Sequence, residues 1–225
     1  MARPAPHAPH APETSAYHHG DLRSALIAAT EALLAERGPD GFSLREVARR
    51  AGVSPAAPAH HFGDAAGLLT AVATQGFAGL TQALRDGVAS GGGDALAALR
   101  GQGQGYVRFA LRHPGRFRLM FRKDMLCVDD ALTQHADAAF EELAAGVRRA
   151  AGVADAAAMT PAHWNAVIML WSLVHGYAHL AIAGRFEPFR AGHAVEDFVD
   201  ATLPAALDAA LAGLFPGGRP PVSPG

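Results

Sequence analysis

Cysteine is nearly absent from this chain: Cys127 stands alone among 225 residues, so no intrachain disulfide can form. The fold must therefore rest on an ordinary core, and a cytoplasmic setting is expected. Long apolar runs are missing as well. No uninterrupted stretch approaches the eighteen or so residues of a membrane span, so no membrane partner is expected. The start, MARPAPHAPHAPETSAY, has neither a basic opening nor an apolar segment and does not read as a secretory signal. An excess of positive charge is also lacking. Formal net charge is −2, and residues 1–62 hold six Arg against six Asp or Glu, so electrostatics alone does not point to nucleic acid.

Catalytic patterns are missing too. No nucleophile sits at a recognisable spacing from a base, no carboxylates pair, and the glycines of 101–105 are not followed by the Lys-Ser or Lys-Thr of a phosphate loop. His175 and His179 are spaced i, i+4 and could hold a metal from one helix face. Gly176 stands where a metalloprotease carries Glu, and no Cys or carboxylate cluster completes the set. No enzyme activity, metal or cofactor is expected.

What is present is helix-forming. Half of the residues are hydrophobic, Ala and Leu dominate, and β-branched runs are few, which gives an all-α fold. Residues 1–16 read as a disordered arm, 17–66 as a small three-helix domain, 67–215 as a larger helical bundle, and 216–225 as a disordered tail. A first helix over about Gly20–Arg37 buries Leu22, Leu26, Ala29, Leu33 and Leu34. A helix from Asp64 to about Ala89 is long enough to belong to both domains. The glycines at 101, 103 and 105 signal either a broken helix or the close approach of another backbone or a ligand. Seven cationic residues between Arg100 and Lys123 precede an acidic stretch, Asp124–Glu142; solvated helix faces of opposite sign account for both.

The most informative segment is FSLREVARRAGVSPAAPAHHF, residues 42–62. Ser43 is a good N-cap, and Glu46 three residues on completes a capping box. Gly52 supplies the positive φ of a sharp turn, and Val53 can fill the angle behind it. Ser54 and Pro55 are a second start signal, a capping hydroxyl followed by proline at the first helical position. Two short helices about such a turn make a helix-turn-helix, whose second helix enters the DNA major groove, or an αα-corner that only packs. Spacing alone leaves both open.

The surroundings resemble the TetR family of bacterial regulators. GDLRSALIAATEALLAERG stands where that family has its first helix, and His61-Phe62-Gly63-Asp64 followed by AAGLLTAVATQGF stands where a His-Phe pair leads into its fourth. The match runs from Tyr17 to Phe77. Trp171-Ser172-Leu173-Val174-His175-Gly176 also resembles a Trp-x-x-x-His-Gly signature of one subgroup's C-terminal domain. The resemblance implies a dimeric repressor on a double-stranded palindromic operator, its two reading helices about 34–36 Å apart, released by a small effector. It implies DNA contacts at Ser43, Arg45, Ser54, Pro55, Ala56, Ala57, Ala59, His60 and His61. It also implies a homodimer through the last two long helices, Pro161–Gly184 and Glu196–Leu214, with the stripe Phe198, Val199, Leu203, Leu207, Leu211 and Leu214 partly buried against the symmetry mate. The effector pocket is expected at Tyr106, Phe117, Met120, Phe121, Trp164, Ile168, Trp171 and His175, with His175 as its polar anchor and the glycines near 105 making room.

The chain departs from the family where Tyr is common at 59, Lys or Arg at 60, and Lys at the start of the fourth helix; here Ala59, His60 and Ala65 stand. Pro58 removes a backbone donor from the second motif helix. A descendant that no longer binds DNA and keeps its bundle for a ligand or protein partner is the alternative.

Overall fold

The computed structural model describes residues 15–216, with side chains from Leu22 onward. The expected arm up to residue 14 and the tail from 217 lie outside the described residues. The described part is all α: α1 Ser15–Arg37, α2 Leu44–Arg50, α3 Ala57–Phe62, α4 Ala65–Ala89, α5 Ala95–Arg112, α6 Pro114–Met120, α7 Asp130–Ala151, α8 Pro161–Ile182 and α9 Val195–Leu214. Helix α1 thus begins earlier than its apolar stripe suggests, taking in the last two residues of the expected arm. The expected division at 66/67 falls just inside α4.

Local chemistry sets most of the boundaries. Ser43, Asp64, Asp94, Asp129 and Thr160 each accept a hydrogen bond from a first-turn amide of the helix they precede. Gly152 closes α7 in the left-handed region at φ 65°. Proline opens α6 and α8, where the missing N–H has no intrahelical role.

One continuous core joins the two halves. Leu26, Leu33 and Leu34 of α1 pack with Val47 of α2 and Leu68 of α4, and the same cluster runs through Leu84 to Tyr106, Phe117 and Leu203. A smaller cluster at the far end holds Leu99, Val147, Val167 and Leu211.

The glycines of α5 do not break it. A Cβ on Gly101 would lie 2.2 Å from the carbonyl oxygen of Gly87, and one on Gly105 would lie 2.3 Å from that of Ala83. Helices α4 and α5 therefore touch backbone to backbone, and the expectation that these glycines make room for a ligand is corrected by the neighbouring helix that fills that space. Gly103 faces elsewhere, with Leu207 Cδ2 2.9 Å from its added Cβ.

That contact corrects a second expectation. Val199, Leu203, Leu207 and Leu211 are 1–4% exposed, packed within their own chain. These four residues of the α9 stripe are core, because α5 offers them a small-residue surface, and are not free to meet a symmetry mate; Phe198 and Leu214 at its ends are half-buried.

Helix α8 also departs from the sequence-based expectation: it is long and apolar enough, by length and composition, to cross a membrane. Only 28% of its most apolar window is buried within the chain, and Ile168, Met169 and Leu180 are exposed.

The basic run is largely paired, not simply solvated. Arg100 meets Asp208, Arg108 meets Asp200, Arg116 meets Glu31, and Arg122 meets Asp40 and Asp124.

Gly101→Ala and Gly105→Ala should each destabilise the protein by about 1–3 kcal/mol, because a methyl group there forces α4 and α5 apart. Urea denaturation followed by circular dichroism measures this. A gain in stability, as helix propensity alone would give, would show that the helices separate freely.

Candidate functional site

Helices α2 and α3 meet across a turn in which Gly52 takes φ 69° and Val53 N–H donates to Ala48 O at 3.0 Å. Val53 packs half-buried behind the turn. Ser43 caps α2 through its hydroxyl, which accepts from Glu46 N–H at 3.4 Å. Glu46 does not return a bond to complete a capping box. Its carboxylate accepts from Arg49 at 2.8 Å and from Arg50 Nε at 3.0 Å, and these two guanidinium groups hold its pKa down to about 2. Charge-assisted bonds outcompete the weaker cap bond. Arg50 also donates to Glu36 of α1 at 2.6 and 2.8 Å, so α2 is fixed to α1.

The second motif helix starts two residues later than Ser54 and Pro55 imply. Helix α3 begins at Ala57 with Ala56 as an unbonded cap, and the Ser54 carbonyl accepts from Ala57 N–H in the preceding turn. Pro58 therefore falls in the first turn, where its missing donor has no helical acceptor to serve, and its ring is buried. Ser43, Arg45, Ser54, Pro55, Ala56, Ala59 and His60 are exposed together on the motif, while Ala57 and His61 are half-buried. The His60 and His61 rings meet edge to face at 5.5 Å. Behind them Arg23 of α1 lies over the Phe62 ring at 5.0 Å. Arg37 and Arg49, which motif reasoning passed over, border the same surface as Ser43, Arg45 and Pro55.

A second site lies in the larger bundle. Tyr106 of α5, Met120 of α6, the adjoining Phe121, and Trp171 of α8 line a cavity of about 330 Å³, together with Phe77 of α4 and Phe140 of α7. Lys123 and Asp137 add two charged side chains to its lining. The Tyr106 hydroxyl lies 2.8 Å from His175 Nδ1. The hydroxyl donates to Nδ1 or accepts from it according to the imidazole tautomer. Burial raises the Tyr106 pKa above its ordinary value. Burial, and then the neighbouring His179 ring, push His175 down to about 4, so it is neutral near pH 7.

Phe117 is fully buried behind the cavity, edge-on to Tyr106 at 5.6 Å and 5.5 Å from His175. His175 touches Phe121 at 4.5 Å and belongs to the wall's supporting layer. Trp164 and Ile168 share a helical face with Trp171 by spacing but stand outside the cavity. Trp164 is 38% exposed with its ring parallel to Phe140, and Ile168 is 53% exposed. The cover over that face of α8 stops short of its first turns. Phe77 and Phe140 were not among the expected lining residues; their only signal in the sequence was their place on the apolar stripes of α4 and α7.

Helix α6 connects the sites. Its Phe117 and Met120 face the pocket side, while a Cβ on Gly115 would lie 2.4 Å from the Leu34 backbone of α1. Arg116 pairs with Glu31 of α1, and Met120 Sδ fills the notch that Gly76 leaves in α4.

Two family profiles match the chain. One, described as bacterial regulatory proteins, tetR family, matches residues 26–72, and one described as tetracyclin repressor-like, C-terminal domain, matches 99–206. No curated protein matches. A solved protein of unknown function from Rhodococcus sp. RHA1 is 32% identical, with TM-score 0.71 over 88% of this chain and 98% of that one. The TetR family transcriptional regulator PfmR from Thermus thermophilus is 22% identical, with TM-score 0.62 over 84% and 98%. A TetR family regulator from Marinobacter aquaeolei VT8 is 20% identical, with TM-score 0.58 over 86% and 95%. The last two likenesses are of fold.

The lowered His175 pKa gives a signed prediction. Its folded value of about 4 lies below the ordinary 6.5, so the unfolded chain takes up the proton first. The stabilising contribution is complete above pH 6.5 and is lost as pH falls toward 4. The thermal midpoint should decline across that window, and His175→Gln should show a shallower decline. An equal decline in the variant would assign the effect to other groups.

Proposed function

Because this chain belongs to the TetR family of bacterial regulatory proteins and is a DNA-binding transcriptional regulator, we propose that it is a dimeric repressor, released from a palindromic operator by a small apolar effector. The observation that carries this reading is the double attachment of α6, whose Met120 lines the cavity while Gly115 and Arg116 are seated on α1. A ligand filling the cavity presses on Met120 and Phe121. Since α6 is packed against the α1 backbone, its displacement moves the helix to which Arg50 fixes α2. The effector acts only through its different affinity for the two geometries. With the Tyr106 hydroxyl bonded to His175, the wall is mostly aromatic and apolar beside Lys123 and Asp137, which suits a ligand whose body is apolar. Trp171 reports its entry.

In this reading α3 and the exposed Ser54–Ala56 turn enter the major groove. Ala56 and Ala59 offer contact to thymine methyl groups, and His60 offers a hydrogen-bonding edge. The protein acts in the cytoplasm, where its operator lies.

The dimer forms through α8 and α9 by their outward surfaces. On α8 the exposed positions Asn165, Ile168, Met169, Ser172, Gly176 and Leu180 form one stripe, and nothing lies within 4 Å of an added Gly176 Cβ. On α9 the outward positions include Ala201, Ala205, Ala209 and Ala212. Small residues at the middle of both helices let a second copy approach closely, and burial of Ile168 and Met169 supplies the driving force. This accounts for the high apolarity of α8 without a membrane.

A mobility-shift titration with DNA flanking the gene should give a discrete complex, and His60→Ala should weaken it while leaving the thermal midpoint nearly unchanged. Absence of any complex would favour the descendant that no longer binds DNA. Ile168→Glu should convert the dimer to soluble monomers in analytical ultracentrifugation. A fully dimeric variant would move the interface off this face.

A further inference from the structure

The sequence shows no basic footprint around the motif, yet the folded surface does, because its acids are neutralised from elsewhere. Between residues 22 and 62 the chain carries Glu31, Glu36, Asp40 and Glu46 against five arginines. Arg50 occupies Glu36 and Glu46. Glu31 is taken by Arg116 of α6, and Asp40 by Arg122 just beyond it, at 2.9 Å. Arg116 thus cancels one negative charge of the motif region outright, and Arg122, shared between Asp40 and Asp124, screens a second. Arg37 and Arg45 are left exposed, with no ion-pair partner among the described residues. Both border one hollow with Ser43, Pro55, Arg49 and Glu46, whose carboxylate is held by Arg49 and Arg50. Arg49 holds Glu46 across a surface where its side chain is 71% exposed, so that pair exchanges readily for another anion.

We propose that Arg37, Arg45 and Arg49 form a cradle for the sugar-phosphate backbone of the operator, beside the segment that enters the groove. The proposal rests on the chain being a DNA-binding regulator. Three guanidinium groups from two helices and around one hollow suit phosphodiester oxygens, which Arg grips in a planar, two-pronged geometry. The Ser43 oxygen accepts from Glu46 N–H, leaving its own proton to donate to the same phosphate. The cradle stands in for backbone contacts that Ala59, His60 and Ala65 do not provide, so affinity comes from α1 and α2 and the sequence-reading segment stays sparse.

The test is the salt dependence of binding, read by fluorescence anisotropy on two labelled duplexes, one carrying the gene's flanking DNA and one of scrambled sequence. Removing one phosphate contact lowers the slope of log K against log [KCl] by about 0.9, so each of Arg37→Gln, Arg45→Gln and Arg49→Gln should lower it by about 1.8 per dimer. The reduction should be equal on both duplexes, since phosphate contacts carry no sequence information. Arg85→Gln, whose partner Glu142 lies on α7, should keep the parental slope. Thermal midpoints of all variants confirm folding. A parent that binds with a triple-variant slope equal to its own overturns the cradle and leaves the regulator intact. A slope reduced on the gene-flanking duplex alone overturns it in favour of base contacts. A parent that binds neither duplex overturns both proposals.

Discussion

The backbone contact between α4 and α5 is the constraint on which the rest of the molecule depends. Gly87, Gly101 and Gly105 let the two helices approach until carbonyl oxygens sit where side chains would otherwise stand. Helix α4 is the longest element among the described residues and begins inside the motif domain, capped by Asp64 beside α3. Fixing α4 against α5 therefore fixes where the motif stands relative to the bundle. Glycine in a helix costs about 1 kcal/mol relative to Ala, and here that cost is offset by close packing and by the room left on the other side of α5. There Gly103 admits Leu207 of α9, so α9 closes the core instead of lying on its surface.

A second layer of order comes from α6. With seven residues it is too short to be stable alone, and it is held on three sides. Gly115 meets α1, Met120 meets the notch at Gly76 of α4, and Phe117 stacks among Tyr106, His175 and His179. A short helix built entirely from contacts to others shifts when any of them shifts. The ion pairs of Arg116 and Arg122 add little to stability where exposed, but they join α6 and its following turn to the motif's acids. The same pairs alter the field at the motif surface and join the two halves of the chain, so charge and geometry are coupled there.

Much of this was legible in the sequence. The helix order, the caps at Ser43, Asp64 and Thr160, and the positive φ at Gly52 follow from local rules that the neighbouring chain does not override. The convergence of Tyr106, Met120, Phe121 and Trp171 was legible through the family resemblance. What could not be read were choices between partners. Glu46 had both a cap and two arginines within reach, and the arginines won. Pro55 and Pro58 both fit a first turn, and only the packing of Pro58 decides between them. The apolar stripe on α9 is equally good against a symmetry mate or against α5; periodicity reports that a face is buried and not by what. For the same reason Trp164 and Ile168 kept the right spacing and still fell outside the cavity.

Helix α8 is where core, cavity and the proposed dimer surface meet. It is apolar nearly all round, which in isolation resembles a membrane span. Its inward face, at Val167, Leu170, Val174 and Ala178, is core. Its flank, at Trp171 and His175, belongs to the cavity and its supporting network. Its remaining stripe, from Ile168 past Gly176 to Leu180, has no cover among the described residues. A soluble helix that is apolar on every side requires a partner on each. With the core and the cavity taking two sides, the third calls for a second copy. In the proposed dimer the wall of the cavity and the surface between copies lie on one helix, so a ligand that tilts α8 by a small angle would change the angle between the two motifs of the pair.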